Sequence, residues 1–213
     1  MVIMMKRIQG RYENTIVIQK SKFIAEAYRV DTVEEIEEIL ASIRKKYYDA
    51  THHCYAYRLN NDASIQKMSD DGEPAKTAGA PMLDVLVKQG ITNILVVVTR
   101  YFGGTLLGAG GLVRAYSSAT SEVLKLAKFY QTEEQMKFRL TVSYSSYQTL
   151  LKMMPYVQIE KASFMSEVSL EAHCKVELFK QISKDAYTYK MGDIGLQEIG
   201  VFPIEILIDT SNE

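Results

Sequence analysis

The feature that most constrains the fold is a glycine-rich loop between an apolar run and a long helical pattern. Five glycines occur within residues 103–111. Residues 94–98, just before the loop, are apolar and mostly β-branched, which is typical of a strand buried on both faces. Glycine tolerates positive φ and lets another backbone or a ligand approach closely. The loop is therefore either a tight strand-to-helix connection or a surface where a ligand rests on backbone amides.

The surroundings of this loop suit an anion. A helix beginning near residues 109–112 would present unpaired amides, and Arg100 and Arg114 flank the loop. Amide donors, a helix dipole and guanidinium groups together bind phosphate or carboxylate. The glycine spacing is neither G-x-G-x-x-G nor that of a P-loop, so no nucleotide motif is matched. The predicted nucleic-acid or anion site comprises Lys76, Arg100, Gly103, Gly104, Gly108, Gly110, Gly111 and Arg114.

An acidic triplet precedes the loop by about thirty residues and has two interpretations. Asp70, Asp71 and Glu73 could supply carboxylates to Mg²⁺ or Ca²⁺, but the ladder of a calcium loop is missing. A solvated turn, or an Asp70 side chain that caps local amides, is the favoured interpretation. We predict no metal site. Lys76, at the start of the next helix, would instead face an anionic ligand.

No nucleophile is predicted. His52 and His53 are adjacent, so on a strand they point to opposite faces and cannot serve one metal ion. One of them could act as a base beside Cys54, but structural histidines are the favoured interpretation. The serines that follow the glycine loop lack a Gly-x-Ser-x-Gly elbow. We predict no catalytic residue and no cofactor.

Composition places the chain among ordinary globular proteins. It has 213 residues, of which 47% are hydrophobic and 24% charged, with a net charge of −1. Two cysteines far apart in sequence fit reduced thiols rather than disulfides. The sequence has no signal-peptide pattern and no apolar run of membrane-spanning length, so we predict a cytoplasmic location and no membrane partner. Residues 1–130 carry 17 Lys and Arg against 14 Asp and Glu, which permits a local basic patch without requiring one.

The pattern of hydrophobic residues predicts an α+β fold in two domains. The character of the sequence changes over residues 131–135, and the following strand and helix patterns read β-α-β-β-α-β, as in a ferredoxin-like unit. Before that point, strands alternate with amphipathic helices, and residues 32–35 form a capping-box pattern at one helix start. We therefore predict domains over residues 1–133 and 134–213.

Two long motifs resemble a known family. Residues 70–81, DDGEPAKTAGAP, and residues 98–115, VTRYFGGTLLGAGGLVRA, resemble the signature of the IMPACT family, in its bacterial YigZ type. The resemblance is strong from about residue 15 to 130. Beyond residue 130, only the pattern of the sequence is similar. It implies an N-terminal α+β domain like a ribosomal-protein fold. It also implies a ferredoxin-like C-terminal domain similar to the last domain of elongation factor G.

The same resemblance implies a role in translation. Eukaryotic relatives regulate translation under stress through protein partners, using a recognition domain that we do not find in this sequence. For bacterial members, RNA or ribosome association is implied, which we assign to the N-terminal domain. For the C-terminal domain, its acidic charge separately suggests a protein partner. Asp70, Asp71 and Glu73 belong to the family motif without an assigned role. Two alternatives stay open: a metal-assisted hydrolase acting on an anionic small molecule or peptide, and a protein-interaction module whose acidic C-terminal domain binds a basic partner.

Overall fold

A computed structural model describes residues 5–192 and 194–208. The chain divides into two compact units, and the dividing line falls between Gln131 and Thr132. Ile206, Leu207 and Ile208 group with the first unit, whereas the predicted second domain includes them. The reason lies in a backbone hydrogen bond: Ile208 N donates to Phe129 O at 2.8 Å, which holds this end of the chain to first-unit residues.

The first unit alternates strands and helices as the sequence predicts. Its elements in chain order are β1 (Lys6–Ile8), β2 (Arg11–Ile18), β3 (Ser21–Arg29), α1 (Val33–Lys46), β4 (His52–Leu59), β5 (Ile65–Ser69), α2 (Gly79–Lys88), β6 (Ile94–Tyr101) and α3 (Gly108–Lys125). The strands form an antiparallel sheet in the order β2-β3-β6-β4-β5. The architecture is α+β.

Strand β6 is buried on both faces because helices cover both sides of the sheet. Leu95 and Val97 pack in the cluster that contains the apolar face of α1. Val96 and Val98 point the other way, into the cluster formed with α2 and α3. This alternation explains the continuous apolar run at residues 94–98, although its neighbours are antiparallel rather than parallel.

Local signals in the sequence set the ends of the elements around the glycine loop. Gln19 and Lys20 both have positive φ, as a two-residue type I′ hairpin turn between β2 and β3 requires. Thr32 accepts a hydrogen bond from Glu35 N at 3.2 Å, which confirms the cap at the start of α1. The glycine loop packs against the hairpin turn between β2 and β3.

The second unit has the predicted β-α-β-β-α-β order. Its elements are β7 (Phe129–Val142), whose first residues belong to the first unit, α4 (Tyr144–Met153), β8 (Gln158–Phe164), β9 (Val168–Lys175), α5 (Val176–Phe179), α6 (Gln181–Thr188) and β10 (Gly195–Leu207). The strand order β10-β7-β9-β8 is that of a ferredoxin-like sheet. The second helix of this order consists of two short helices that meet at Lys180. No helix within the described residues combines the length and apolar character that a membrane crossing needs.

Candidate functional site

The first glycine of the loop is required by packing. A Cβ atom on Gly103 would overlap with the backbone at Lys20 and Ser21, in the turn between β2 and β3. Gly103 N also donates a hydrogen bond to Ser21 Oγ at 3.1 Å. This glycine therefore lets the loop lie directly on the hairpin, as in the tight-connection interpretation.

The other loop glycines have a different role. Gly104 and Gly108 have φ of +81° and +68°, which side-chain-bearing residues rarely adopt, and open space lies beside both. Gly110 also faces open space, while a Cβ on Gly111 would lie 3.0 Å from Leu107 Cβ. This part of the loop presents bare backbone at the surface.

Helix α3 begins in that bare stretch without a side-chain cap. Its N-cap residue is Leu107, which provides no side-chain hydrogen bond to the first turn. The first four amides of a helix have no partner within the helix, so they need a side chain, water or a ligand. Gly108 and Ala109, the first two residues of α3, also line a cavity.

Arg100 has partners inside the protein. Arg100 is only 5% exposed, and its Nη1 donates a hydrogen bond to Glu73 Oε1 at 2.6 Å. The guanidinium lies 5.4 Å from the ring centre of Phe23 and 5.6 Å from that of Phe102. Arg100 therefore joins the two family motifs, and Glu73, not an external anion, is its partner in this structure.

Lys76 and Arg114 lie at the surface. Lys76 N donates to Asp70 Oδ2 at 2.8 Å, while its side chain is exposed. Arg114 is exposed in the second turn of α3. Neither belongs to the described residues that line the cavity beside the loop, although Arg100, Gly108 and Glu73 do.

This cavity, which we call the loop pocket, has a volume of about 430 Å³ and an apolar wall. The wall is formed by apolar residues, of which all but the buried Leu112 are exposed or half-buried: Pro74, Phe102, Leu106, Leu107, Ala109 and Leu112. Its polar residues are Thr51, His52, Glu73 and Arg100. A mostly apolar cavity with a few convergent polar groups is the usual form of a small-ligand site.

Glu73 presents one free oxygen to the loop pocket. Its Oε1 accepts hydrogen bonds from Arg100 Nη1 at 2.6 Å and from Tyr116 Oη at 2.7 Å. Its Oε2 accepts none from the described residues and lies 3.9 Å from His52 Nε2. The Glu73 side chain as a whole is only 3% exposed, and Oε2 is its oxygen left open to the loop pocket.

His52 turns a lone pair toward the same place. Its Nδ1 lies 2.7 Å from Asp71 O, and because a carbonyl can only accept, Nδ1 carries the hydrogen. In the neutral ring, Nε2 is then an acceptor. His53 belongs to the opposite face, where its Nε2 lies 3.1 Å from Tyr47 O. Sequence reasoning treated both histidines as structural and missed the place of His52 in the pocket.

Tyr116 and Cys54 complete the buried part of the network. Cys54 Sγ lies 3.4 Å from Tyr116 Oη and 3.0 Å from Asp70 O. Burial raises the pKa of the Cys54 thiol to about 12 and also raises the pKa of Tyr116. Both groups therefore keep their protons near neutral pH. The helical periodicity predicts that Tyr116 is a core residue. The signal for its place in this network was its hydroxyl, which needs a hydrogen-bond partner when buried.

The acidic triplet has three separate roles. Asp70 accepts hydrogen bonds from the backbone N of Lys76, Ala78 and Gly79, at the start of α2. Asp71 Oδ2 accepts from His53 N at 2.6 Å, and Glu73 lies in the loop pocket. Across residues 5–192 and 194–208, no three His, Cys, Asp or Glu side chains are grouped in a way that could hold a metal ion.

Comparisons with known proteins place this site inside a shared domain. A family model described as "Impact N-terminal domain" matches residues 19–124, which include the loop pocket. The chain is 52% identical over 112 residues to "IMPACT family member YvyE" of Bacillus subtilis, covering 53% of this chain and 52% of that protein. It is 33% identical over 189 residues to an "IMPACT family member" of Haemophilus influenzae, covering 86% of this chain and 92% of that protein.

Two further matches extend the comparison. "IMPACT family member YigZ" of Escherichia coli is 44% identical over 110 residues, covering 51% of this chain and 54% of that protein. The matched part thus spans about half the length of the Bacillus and Escherichia proteins. A crystal structure described as that of a hypothetical protein superposes with a TM-score of 0.58 at 29% identity, covering 92% of this chain and 97% of that one.

Proposed function

The chain belongs to the IMPACT family, and on that premise we propose that it is a translation-associated regulator that binds RNA or the ribosome through the glycine loop of its first unit. The role in translation is the one that membership of this family implies. The loop is the part of the chain whose backbone is best suited to meet a phosphate.

The observation that carries this proposal is the uncapped start of α3. Its first-turn amides have no side-chain cap, and Gly104, Gly108 and Gly110 leave open space beside them. Backbone amides at a helix N-terminus, together with the helix dipole, attract phosphate. The absence of bulky side chains at these glycines lets a sugar-phosphate backbone approach closely.

Neighbouring side chains supply the other contacts that RNA uses. Phe102 is 46% exposed, and an exposed aromatic ring is a platform on which an unpaired base stacks. Arg114 is exposed on α3 and can neutralise a phosphate. Arg100 is not assigned this role, because Glu73 already occupies its guanidinium.

A salt titration with transfer RNA and ribosomal RNA tests the proposal. We expect binding that weakens as salt rises, and Arg114→Ala should weaken it and reduce the salt slope by about one. Arg44→Ala is the matched control, because Arg44 is exposed on α1, on the other face of the sheet. Absence of binding at low ionic strength, or equal loss in both variants, would refute the proposal.

A further inference from the structure

We propose that the loop pocket receives an unpaired guanine base. This inference rests on the proposed RNA-binding function, since it takes the base from the RNA whose phosphates meet the glycine loop. It is carried by the free acceptors of Glu73 and His52 and by the apolar wall around them.

The size and lining of the pocket suit a planar heterocycle. A volume of about 430 Å³ lies in the range of small-ligand sites. Leu107, Leu112 and Pro74 line it with apolar surface, and Phe102 lines it with an aromatic ring. Base stacking on an aromatic ring stabilises single-stranded RNA complexes irrespective of sequence, so the wall provides affinity but no selectivity.

Selectivity comes from the two acceptors. Glu73 Oε2 and His52 Nε2 lie 3.9 Å apart, and the Glu73 side chain is 3% exposed. Glu73 Oε2 accepts no hydrogen bond from the described residues, and Glu73 lines the loop pocket, where a donor can reach this oxygen. These two acceptors therefore favour a ligand that presents neighbouring N–H donors along one edge.

Guanine is the base with that edge. Its N1–H and its N2 amino group are adjacent donors, so one can bond Glu73 Oε2 and the other His52 Nε2. Adenine and cytosine each place a ring-nitrogen acceptor beside their amino group. Uracil has one N–H between two carbonyl acceptors. In these three bases, a lone pair would face the carboxylate or the imidazole.

Arg100 and Tyr116 act as positioning residues for this edge. Both donate to Glu73 Oε1, which fixes the rotation of the carboxylate and leaves Oε2 directed away from them. Asp71 O holds a hydrogen on Nδ1 of His52, so Nε2 is an acceptor when the imidazole is neutral. The selectivity for donors is therefore built into the fold before any ligand binds.

The phosphate of the same nucleotide has a place nearby. Gly108 and Ala109 line the pocket and also begin α3, so the uncapped amides lie at its rim. One nucleotide could then place its base at the bottom of the loop pocket and its phosphate at the start of α3, so it would contact the pocket and the glycine loop at once.

Mononucleotide binding tests the base directly. In calorimetric titrations we expect GMP to bind about tenfold more tightly than AMP, CMP or UMP, the scale of discrimination given by a bidentate base contact. IMP keeps N1–H but lacks the amino group, so it should bind with intermediate affinity. Equal affinity for all five nucleotides would overturn the guanine assignment.

A second experiment tests whether the base comes from RNA or from a free nucleotide. A short uridine-rich RNA with one internal guanosine should bind more tightly than the same RNA with adenosine there. If RNA binds with no preference for guanosine, the pocket proposal fails and the RNA-binding function stands. If GMP binds but neither RNA does, RNA fails as the source of the base, and so does the proposed function.

Variants test whether the named residues cause the preference for GMP. In Glu73→Gln, Arg100 should hold the amide oxygen, so an NH₂ group would replace the free acceptor and the preference for GMP over AMP should disappear. Thermal unfolding shows whether this variant is folded. Phe102→Ala removes no hydrogen bond to Glu73 and should weaken the binding of all nucleotides. Tyr48→Ala, at an 84% exposed tyrosine in the turn after α1, should not. A preference for GMP that survives Glu73→Gln in folded protein contradicts the proposal.

Discussion

Arg100 Nη1 lies 2.6 Å from Glu73 Oε1, and both side chains are almost completely buried. This ion pair connects the two motifs through residues that are 27 positions apart in the sequence. It holds the loop that contains Glu73 against strand β6, next to the place where the glycine loop leaves the sheet. The same contact therefore stabilises the fold and shapes the floor of the loop pocket.

The first prediction concerns this ion pair. Arg100→Ala leaves Glu73 buried without its cation, so the free energy of unfolding should fall by about 3 to 5 kcal/mol. Arg139→Ala removes an exposed pair with Glu171 and should cost about 1 kcal/mol or less. Urea unfolding followed by circular dichroism measures both. Similar losses in the two variants would contradict the structural role of Arg100.

The second prediction compares two glycines of one loop. Gly103→Ala places a Cβ on the backbone of Lys20 and Ser21, so the loop or the hairpin must shift, at a cost of about 1 to 3 kcal/mol or more. Gly110→Ala adds a methyl group in open space within α3, where alanine favours a helix by up to about 1 kcal/mol. Thermal unfolding of both variants should show opposite shifts. A stable Gly103→Ala protein would show that the close approach is dispensable.

These glycines show how far the sequence alone leads. The burial of residues 94–98, the helix after the loop and the β-α-β-β-α-β order follow from periodicity and are confirmed. Which glycine relieves a contact and which only permits positive φ depends on a hairpin about 80 residues away, so spacing cannot distinguish them. Strand β1 was missed because three residues give no periodicity, and its pairing with the start of β7 is long-range.

The site itself was only partly predictable. The glycine loop, Arg100 and Glu73 were selected from their motifs, and they line one pocket together. The floor also needs His52 from β4 and Tyr116 from α3, which meet Glu73 only through tertiary packing. An adjacent histidine pair and a helical tyrosine are common in structural roles, so nothing in their sequence pattern connects them with the loop.

The third prediction concerns Asp70. Burial opposes its charge, but three backbone N–H donors outweigh burial and lower the pKa of its carboxyl below the ordinary value of 3.8. A lowered pKa in the folded state means that the carboxylate stabilises the protein above about pH 4 and loses this effect as the pH falls through the folded-state pKa.

Asp70→Asn should therefore lower the melting temperature at pH 6 and have a smaller effect at pH 2 to 3. The loss at pH 6 should be about 1 kcal/mol, the scale of a helix-capping interaction. Melting curves across this pH range measure it. Asp84→Asn is the control, because Asp84 is exposed on α2, the same helix whose start Asp70 caps. An equal loss at all pH values would show that the charge of Asp70 is not what matters.

The fourth prediction tests whether Cys54 could be a nucleophile. Burial raises the pKa of Cys54 to about 12 and that of Cys174 to about 11, and both residues are fully buried. Because the thiolate is the reactive form, a disulfide reagent at pH 8 should label neither cysteine in the native protein and both after denaturation. Rapid labelling of Cys54 in native protein would contradict this. It would restore the alternative in which a histidine beside Cys54 activates the thiol, because reactivity at pH 8 requires a far lower pKa than burial against Tyr116 allows.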